Sequence, residues 1–379
     1  MERLYDKLKA YSESDFYAFH MPGHKRNKAL LGIELPYDLD ITEIDGFDDL
    51  HHADGILKEE QERAARVFGA EESHFLVNGS TAGILSAVMG CTHRGDKILV
   101  ARHCHKSIYH AIYMNGLVPR YVYPEFDISM HMNGEISKED VAKALAAEPD
   151  IKAVVIVSPN YDGVVSDVKG IAEVAHSYRI PLIVDEAHGP HFGFHPAFPG
   201  RANDLGADVV INSLHKTLPS LTQTAILHIN GKLANRRRIK KYLDMLQSSS
   251  PSYIFMASLD ACVDFLDGKC EEAFELYVER LQKFREELKP LQHLQILRTE
   301  HYDISKVVIS TANANITSPE LADRLRKEYH LEMEMTGGTY VLAMTTVADT
   351  QEGLDRLKSA LLEIDDQLEA KTAVSGSIE

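Results

Sequence analysis

Residues 208–223 read DVVINSLHKTLPSLTQ. The run 209–211 is apolar and β-branched, as a strand buried on both faces should be, and it gives way at once to a polar turn carrying Ser213, His215 and Lys216. The same pattern recurs outward along the chain in PLIVD (181–185), KAVVIV (152–157), KILVA (97–101) and TAILHI (224–229), each bounded by polar, Gly or Pro residues. Helical stretches lie between them. VKGIAEVAHSY (168–178) is one, and LKEEQERAARVF (57–68) puts Leu57, Ala64, Ala65 and Phe68 on one side before Gly69 stops it. The alternation predicts an α/β fold with a mainly parallel sheet wrapped by helices.

The chain is expected to divide into an N-terminal arm (1–50), a large domain (51–265), a small α/β domain (266–370) and a disordered tail (371–379). The arm reads as irregular, because the Pro and Gly residues of HMPGHK (20–25) and LPYDLDITEIDGFDD (35–49) break any long helical pattern. Past Pro251 an amphipathic stretch (272–288) precedes strand-like SKVVIS (305–310), helical SPELADRLRKEY (318–329), strand-like TYVLAM (339–344) and helical QEGLDRLKSALLEI (351–364). That order predicts a two-layer unit.

Bulk properties exclude several classes. A formal net charge of −17 over 379 residues argues against a nucleic-acid partner, which would need clustered Lys and Arg. No run approaches the ~20 apolar residues that span a bilayer, and the N-terminus lacks the apolar stretch of a secretory signal. The cysteines, Cys91, Cys104, Cys262 and Cys270, form no CxxC pair and are too few for a disulfide framework, so a reducing cytoplasm is expected.

Four local signals carry chemistry. Lys216 follows a strand with Ser213 and His215 beside it; a lysine that forms a Schiff base must be partly neutral, which burial or a nearby cation can arrange. Asp185 ends a strand and enters the Gly-rich turn DEAHGPHF, where a carboxylate can pair with a protonated ring nitrogen. In FLVNGSTAGILSAVMG (75–90) a strand runs into Gly79, Ser80 and Thr81 and then a helix, a ready anion site. His105, in ARHCHKSIYH after the strand 97–101, is placed to stack on an aromatic ligand. Each signal alone has an ordinary structural explanation: a solvated lysine, a helix cap, a surface histidine. The clusters His188, His191, His195 and His103, His105, His110 raise a metal as an alternative, but neither has the i, i+4 spacing of HExxH, and no metal is predicted.

In chain order, HMPGHK, DITEIDGFDDLHHADGI (40–56), FLVNGST, NYDGVV (160–165), DEAHGPHF and SLHKTLPSLTQ together resemble the Orn/Lys/Arg decarboxylase family of pyridoxal phosphate enzymes, with the aspartate aminotransferase-like fold (PLP fold type I). The resemblance implies a large domain with a seven-stranded sheet, Lys216 as the Schiff-base lysine and Asp185 as partner of the pyridine nitrogen. It further implies His105 stacked on the ring, His188 near its phenolic oxygen, and Gly79, Ser80, Thr81, Ser213 and His215 around the phosphate. The resemblance further implies a small-molecule amino acid substrate and a homodimer with the active site at the subunit interface, where HMPGHK would line the partner's site. Relatives usually continue into a further C-terminal domain, whereas this sequence ends at Glu379, and Ala53-Asp54-Gly55 stands where they often have Pro-Glu-Gly. The implied activity is decarboxylation of arginine, lysine or ornithine; an aminotransferase on the same fold, or a catalytically silent regulatory relative, are the alternatives.

Overall fold

The structure is a computed structural model that describes residues 2–29, 32–128, 131–297 and 301–370. The tail 371–379, expected to be disordered, lies outside the described residues. The strands are β1 (Glu72–Leu76), β2 (Lys97–Ala101), β3 (Val118–Val122), β4 (Phe126–Asp127), β5 (Met132–Asn133), β6 (Val154–Val157), β7 (Leu182–Asp185), β8 (Val209–Asn212), β9 (Ala225–Ile229), β10 (Gln295–Ile296), β11 (Lys306–Ser310), β12 (Met335–Thr336) and β13 (Tyr340–Met344). The helices used below are α1 (Leu4–Ser12), α2 (Ile56–Val67), α3 (Gly79–Cys91), α4 (Lys106–Asn115), α5 (Lys138–Ala147), α6 (Val168–Ser177), α7 (Leu214–Thr217), α8 (Arg236–Leu246), α9 (Tyr253–Leu266), α10 (Glu271–Glu287), α11 (Ser318–Tyr329) and α12 (Gln351–Asp365).

A seven-stranded sheet in the order β1-β9-β8-β7-β6-β2-β3 forms the centre. Strands β8, β7, β6, β2 and β3 pair in parallel, and β9 runs antiparallel to both of its neighbours. Successive side chains point to opposite faces, so each buried strand feeds two cores. Ile98, Val100, Val155, Ile183 and Ile211 pack under α3, α4 and α8, whereas Leu99, Val154, Ile156, Leu182, Val184 and Val210 pack under α5 and α6. The fold is the expected α/β one.

A second sheet, β10-β11-β13-β12, is antiparallel throughout. Val307, Ile309 and Val341 meet Leu321 and Leu325 of α11 and Leu354 and Leu357 of α12, while Val308 and Leu342 face Tyr302 and Met132 on the other side. Among the described residues no helix is long and apolar enough to cross a membrane.

The start of the arm corrects one expectation. Residues 4–12 are helical, with Leu4 and Leu8 fully buried one turn apart in the core that α9 also lines. The Leu4 N–H donates to Asp260 Oδ2 at 2.7 Å, so a tertiary acceptor on α9 ties down an end that local composition left open. Farther on, Asp48 closes the turn before α2: its carboxylate accepts from the N–H groups of Asp54, Gly55 and Leu57 at 3.0, 2.9 and 2.9 Å.

Candidate active site

Strands β7 and β8 end side by side at Asp185 and Asn212, and in open α/β sheets ligands gather outside such carboxyl ends. The turn after β7 carries His188 and His191. The turn after β8 enters the single-turn helix α7 with His215 and Lys216. From the other side come the β2–α4 turn with His103 and His105, and the β1–α3 turn with Gly79, Ser80 and Thr81. Together these turns line one cavity of about 570 Å³, into which Tyr161 and Gln223 also reach. All the sequence-predicted site residues except Ser213 line it. Ser213 is wholly buried, and its Oγ has no hydrogen-bond partner among the described residues.

The amino end of α3 is prepared for an anion. Gly79 adopts φ +71°, a left-handed value that suits glycine, and its N–H donates to Gln223 O at 2.9 Å. Asn78 makes no side-chain cap; its Oδ1 accepts from Ser248 N at 2.9 Å instead. The positive end of the helix therefore faces the cavity without the carboxamide that would ordinarily neutralise its donors.

Burial sets the protonation of the remaining groups. Asp185 is 3% exposed and accepts one backbone hydrogen bond, from Ala187 N at 3.1 Å; burial raises its pKa, and the Lys216 charge only partly offsets this. Burial likewise lowers the pKa of Lys216, against the pull of Asp185 and Glu334. The Lys216 Nζ lies 3.0 Å from His188 Nε2. His188 is held well below the usual imidazole range by burial and then by two flanking lysines, so its ring is neutral. His105 caps α4, accepting from Ser107 N at 3.3 Å through Nδ1, which leaves the proton of its neutral ring on Nε2. His215 is the reverse case. Its Nδ1 donates to Thr224 O at 2.8 Å, so donating to an anion through Nε2 requires a second proton, which burial disfavours.

Several residues of the site were given no cofactor role by the sequence, His103 having been weighed only as a metal ligand. Burial pushes His103 down to about 4, and its Nδ1 has no partner among the described residues. Tyr161, from NYDGVV, packs its ring 4.8 Å from that of His188 and donates its hydroxyl to Glu334, which stands before β12 in the second sheet. Asn160 of the same motif organises the turn by accepting from Asp162, Gly163 and Val164 N at 3.1, 3.0 and 2.9 Å. Lys306, the first residue of β11, lies 2.9 Å from His188 Nδ1. The motif could have flagged Tyr161; no local signal marks Lys306 or Glu334. The histidines weighed as metal ligands point apart: His188 to the lysines, His191 to Thr217 and Asp303, His195 to Glu275. Among the described residues no cluster suited to a metal occurs.

Comparison with known proteins extends the geometry. A family profile described as Orn/Lys/Arg decarboxylase, major domain, matches residues 3–310. Arginine decarboxylase of Bacillus subtilis is 34% identical over 380 residues, covering 96% of this chain and 77% of that protein. Among solved structures, the Francisella novicida lysine decarboxylase LdcF superimposes with a TM-score of 0.84 at 20% identity, and this chain spans 60% of its length. An alanine–glyoxylate aminotransferase from Nostoc gives a TM-score of 0.66 at 15% identity, over 81% of this chain and 86% of its own. The two structural likenesses establish the aminotransferase-like fold, and the sequence matches narrow it further: the cavity at the ends of β7 and β8 is built on a chain that belongs to the Orn/Lys/Arg decarboxylase family.

Proposed function

We propose that the chain is a pyridoxal phosphate-dependent decarboxylase of a basic amino acid, arginine, lysine or ornithine, giving the amine and carbon dioxide. The observation that carries this reading is Lys216, depressed by burial and facing the same cavity as the strand-end Asp185 and the uncapped end of α3. Three features fit the cofactor. Asp185 is a buried carboxylate short of partners, as a group awaiting a cationic ring nitrogen should be. The orphaned Ser213 Oγ and the open amino end of α3 fit a phosphate.

In this reading Lys216 would hold the cofactor covalently, with Gly79, Ser80, Thr81, Ser213 and a doubly protonated His215 around its phosphate. His105 would stack on the ring and His188 would stand near its phenolic oxygen. Bound there, the cofactor supplies an electron sink for the bond broken at the α-carbon. The protein's part is to keep the ring nitrogen protonated, a task for which one close carboxylate is worth ~1–3 pKa units. A basic substrate is favoured by Glu334, an exposed carboxylate near enough to act on both Lys216 and Lys306. We also propose the division into arm, large domain and small domain at residues 50 and 265, and a homodimer in the cytoplasm. Phe16, Tyr17, Phe19 and Met21 of the arm, 65–90% exposed, offer an apolar surface for the second copy.

The test is direct. The purified chain, supplied with pyridoxal phosphate and reduced with borohydride, should gain the cofactor's mass on Lys216, and should release carbon dioxide from at least one of the three amino acids. Lys216→Met should abolish both. Cofactor capture without carbon dioxide from any of them would end the decarboxylase reading, and amino transfer to a keto acid would replace it.

A further inference from the structure

Lys306 has no task in the reading above, yet its surroundings are built with care. It is fully buried, and Gly163, at φ +108°, gives it room: a Cβ there would stand 2.8 Å from Lys306 Cγ. Its amine and that of Lys216 bracket one imidazole, Lys306 Nζ at 2.9 Å from His188 Nδ1 and Lys216 Nζ at 3.0 Å from Nε2. A neutral imidazole donates at one nitrogen and accepts at the other, and an ammonium group can only donate. With both contacts made, at least one lysine must therefore be a neutral amine, and the other donates to the ring, as an ammonium when the trio carries one positive charge.

We propose that Lys306 takes up, through His188, the proton that Lys216 must lose to become a nucleophile. This rests on Lys216 being the covalent anchor. In one state the Lys216 ammonium donates to Nε2, while Nδ1–H donates to the Lys306 amine. An N–H bond then breaks at Lys216 and forms at Nε2, as another breaks at Nδ1 and forms at Lys306. The ring ends as the other neutral tautomer, the trio keeps a single positive charge, and no proton goes to solvent. Each amine has counter-charges: Asp185 and Glu334 act on Lys216, and Asp303, Glu334 and Asp162 on Lys306, while His105 and His215 also face His188. Burial, opposed by Asp303 and reinforced by Lys216, brings Lys306 down to about 8, within reach of such an exchange near neutrality.

The experiment follows the rate at which the full-length, cofactor-free chain captures pyridoxal phosphate, as a function of pH. Lys306→Met leaves Lys216 with no internal acceptor and frees it of a like charge. Its pKa should rise by about one unit, slowing capture about tenfold at pH 7 and recovering as pH is raised by that unit. Lys306→Arg, a permanent donor to Nδ1, should hold His188 as the Nε2–H tautomer and leave capture at least as fast as in the unmodified chain. A profile unchanged by Lys306→Met, or both variants slowed alike at every pH, would overturn the proposal. Should either variant fail to fold, neutron diffraction from the unmodified protein decides: a single ring proton and one neutral amine are expected, and an imidazolium or two ammonium groups would refute it. If the unmodified chain captures no cofactor at all, the anchor reading fails instead.

Discussion

Asp185 and Asp303 are equally removed from water and yet displaced in opposite directions. Each is at most 3% exposed, and burial works against the charged form of both. At Asp303 it is outweighed by His191 at 3.1 Å, by Lys306 and by the hydrogen bond from Ser305 N at 2.9 Å, and its pKa falls. At Asp185, among the described residues, only Ala187 N and the charge of Lys216 help, and its pKa rises. One carboxylate has its charge compensated within the fold, although its Oδ2 accepts no hydrogen bond among the described residues. The other is short of a cation, which is the condition of a group kept for a ligand.

Substitutions can break this contrast. Asp303→Ala, which removes one member of a buried pair, should cost roughly 3–5 kcal/mol, read as a fall in the midpoint of denaturant unfolding. The pH dependence has a sign: a depressed carboxylate stabilises above its unfolded pKa and loses that contribution as pH falls through the folded value, so Asp303→Ala should flatten the acid limb of the stability curve. Asp185→Asn should behave oppositely in stability, because a carboxylate raised on folding opposes folding as pH climbs through its folded pKa; the variant should unfold no earlier than the unmodified chain at neutral pH. Its loss should appear in turnover, about 10–1000-fold in carbon dioxide release, matching 1–3 pKa units at the ring nitrogen. Ser213→Ala should have the smallest effect. With no partner to lose among the described residues, stability should hold within ~0.5 kcal/mol, while cofactor retention weakens by ~0.5–1.5 kcal/mol if Oγ serves the phosphate.

The same contrast bears on what the sequence made legible. Strands β2, β6, β7 and β9 each fall within the apolar runs that announce them, β8 overruns its own by Asn212, and the cavity-lining residues sit at strand ends and at a helix start, where chemistry and local pattern coincide. The reversal of β9 was not legible, because a run buried on both faces has the same composition in either direction. Helix α1 was hidden because the Pro and Gly residues farther along made the whole arm look irregular, whereas the spacing of Leu4 and Leu8 was the signal, and its docking depends on Asp260, far along the chain. Lys306 and Asp303 were invisible for a related reason. A lysine opening a strand ordinarily reaches solvent, and only the packing of one sheet against the other, 118 residues from His188, encloses this one.

The ties between the sheets constrain movement as well as chemistry. His191 to Asp303, His188 to Lys306 and Asp162 to the Tyr340 hydroxyl, at 3.1, 2.9 and 2.6 Å, all cross from loops of the first sheet to the second. Splaying the two apart would strand buried charge, and a penalty of even ~3 kcal/mol confines such a form to about one molecule in a hundred or fewer. Traffic of ligands would then use the standing mouth, bordered by the exposed Thr81, His105 and Tyr161, and the motions that admit them would be the size of a rotamer rather than a hinge.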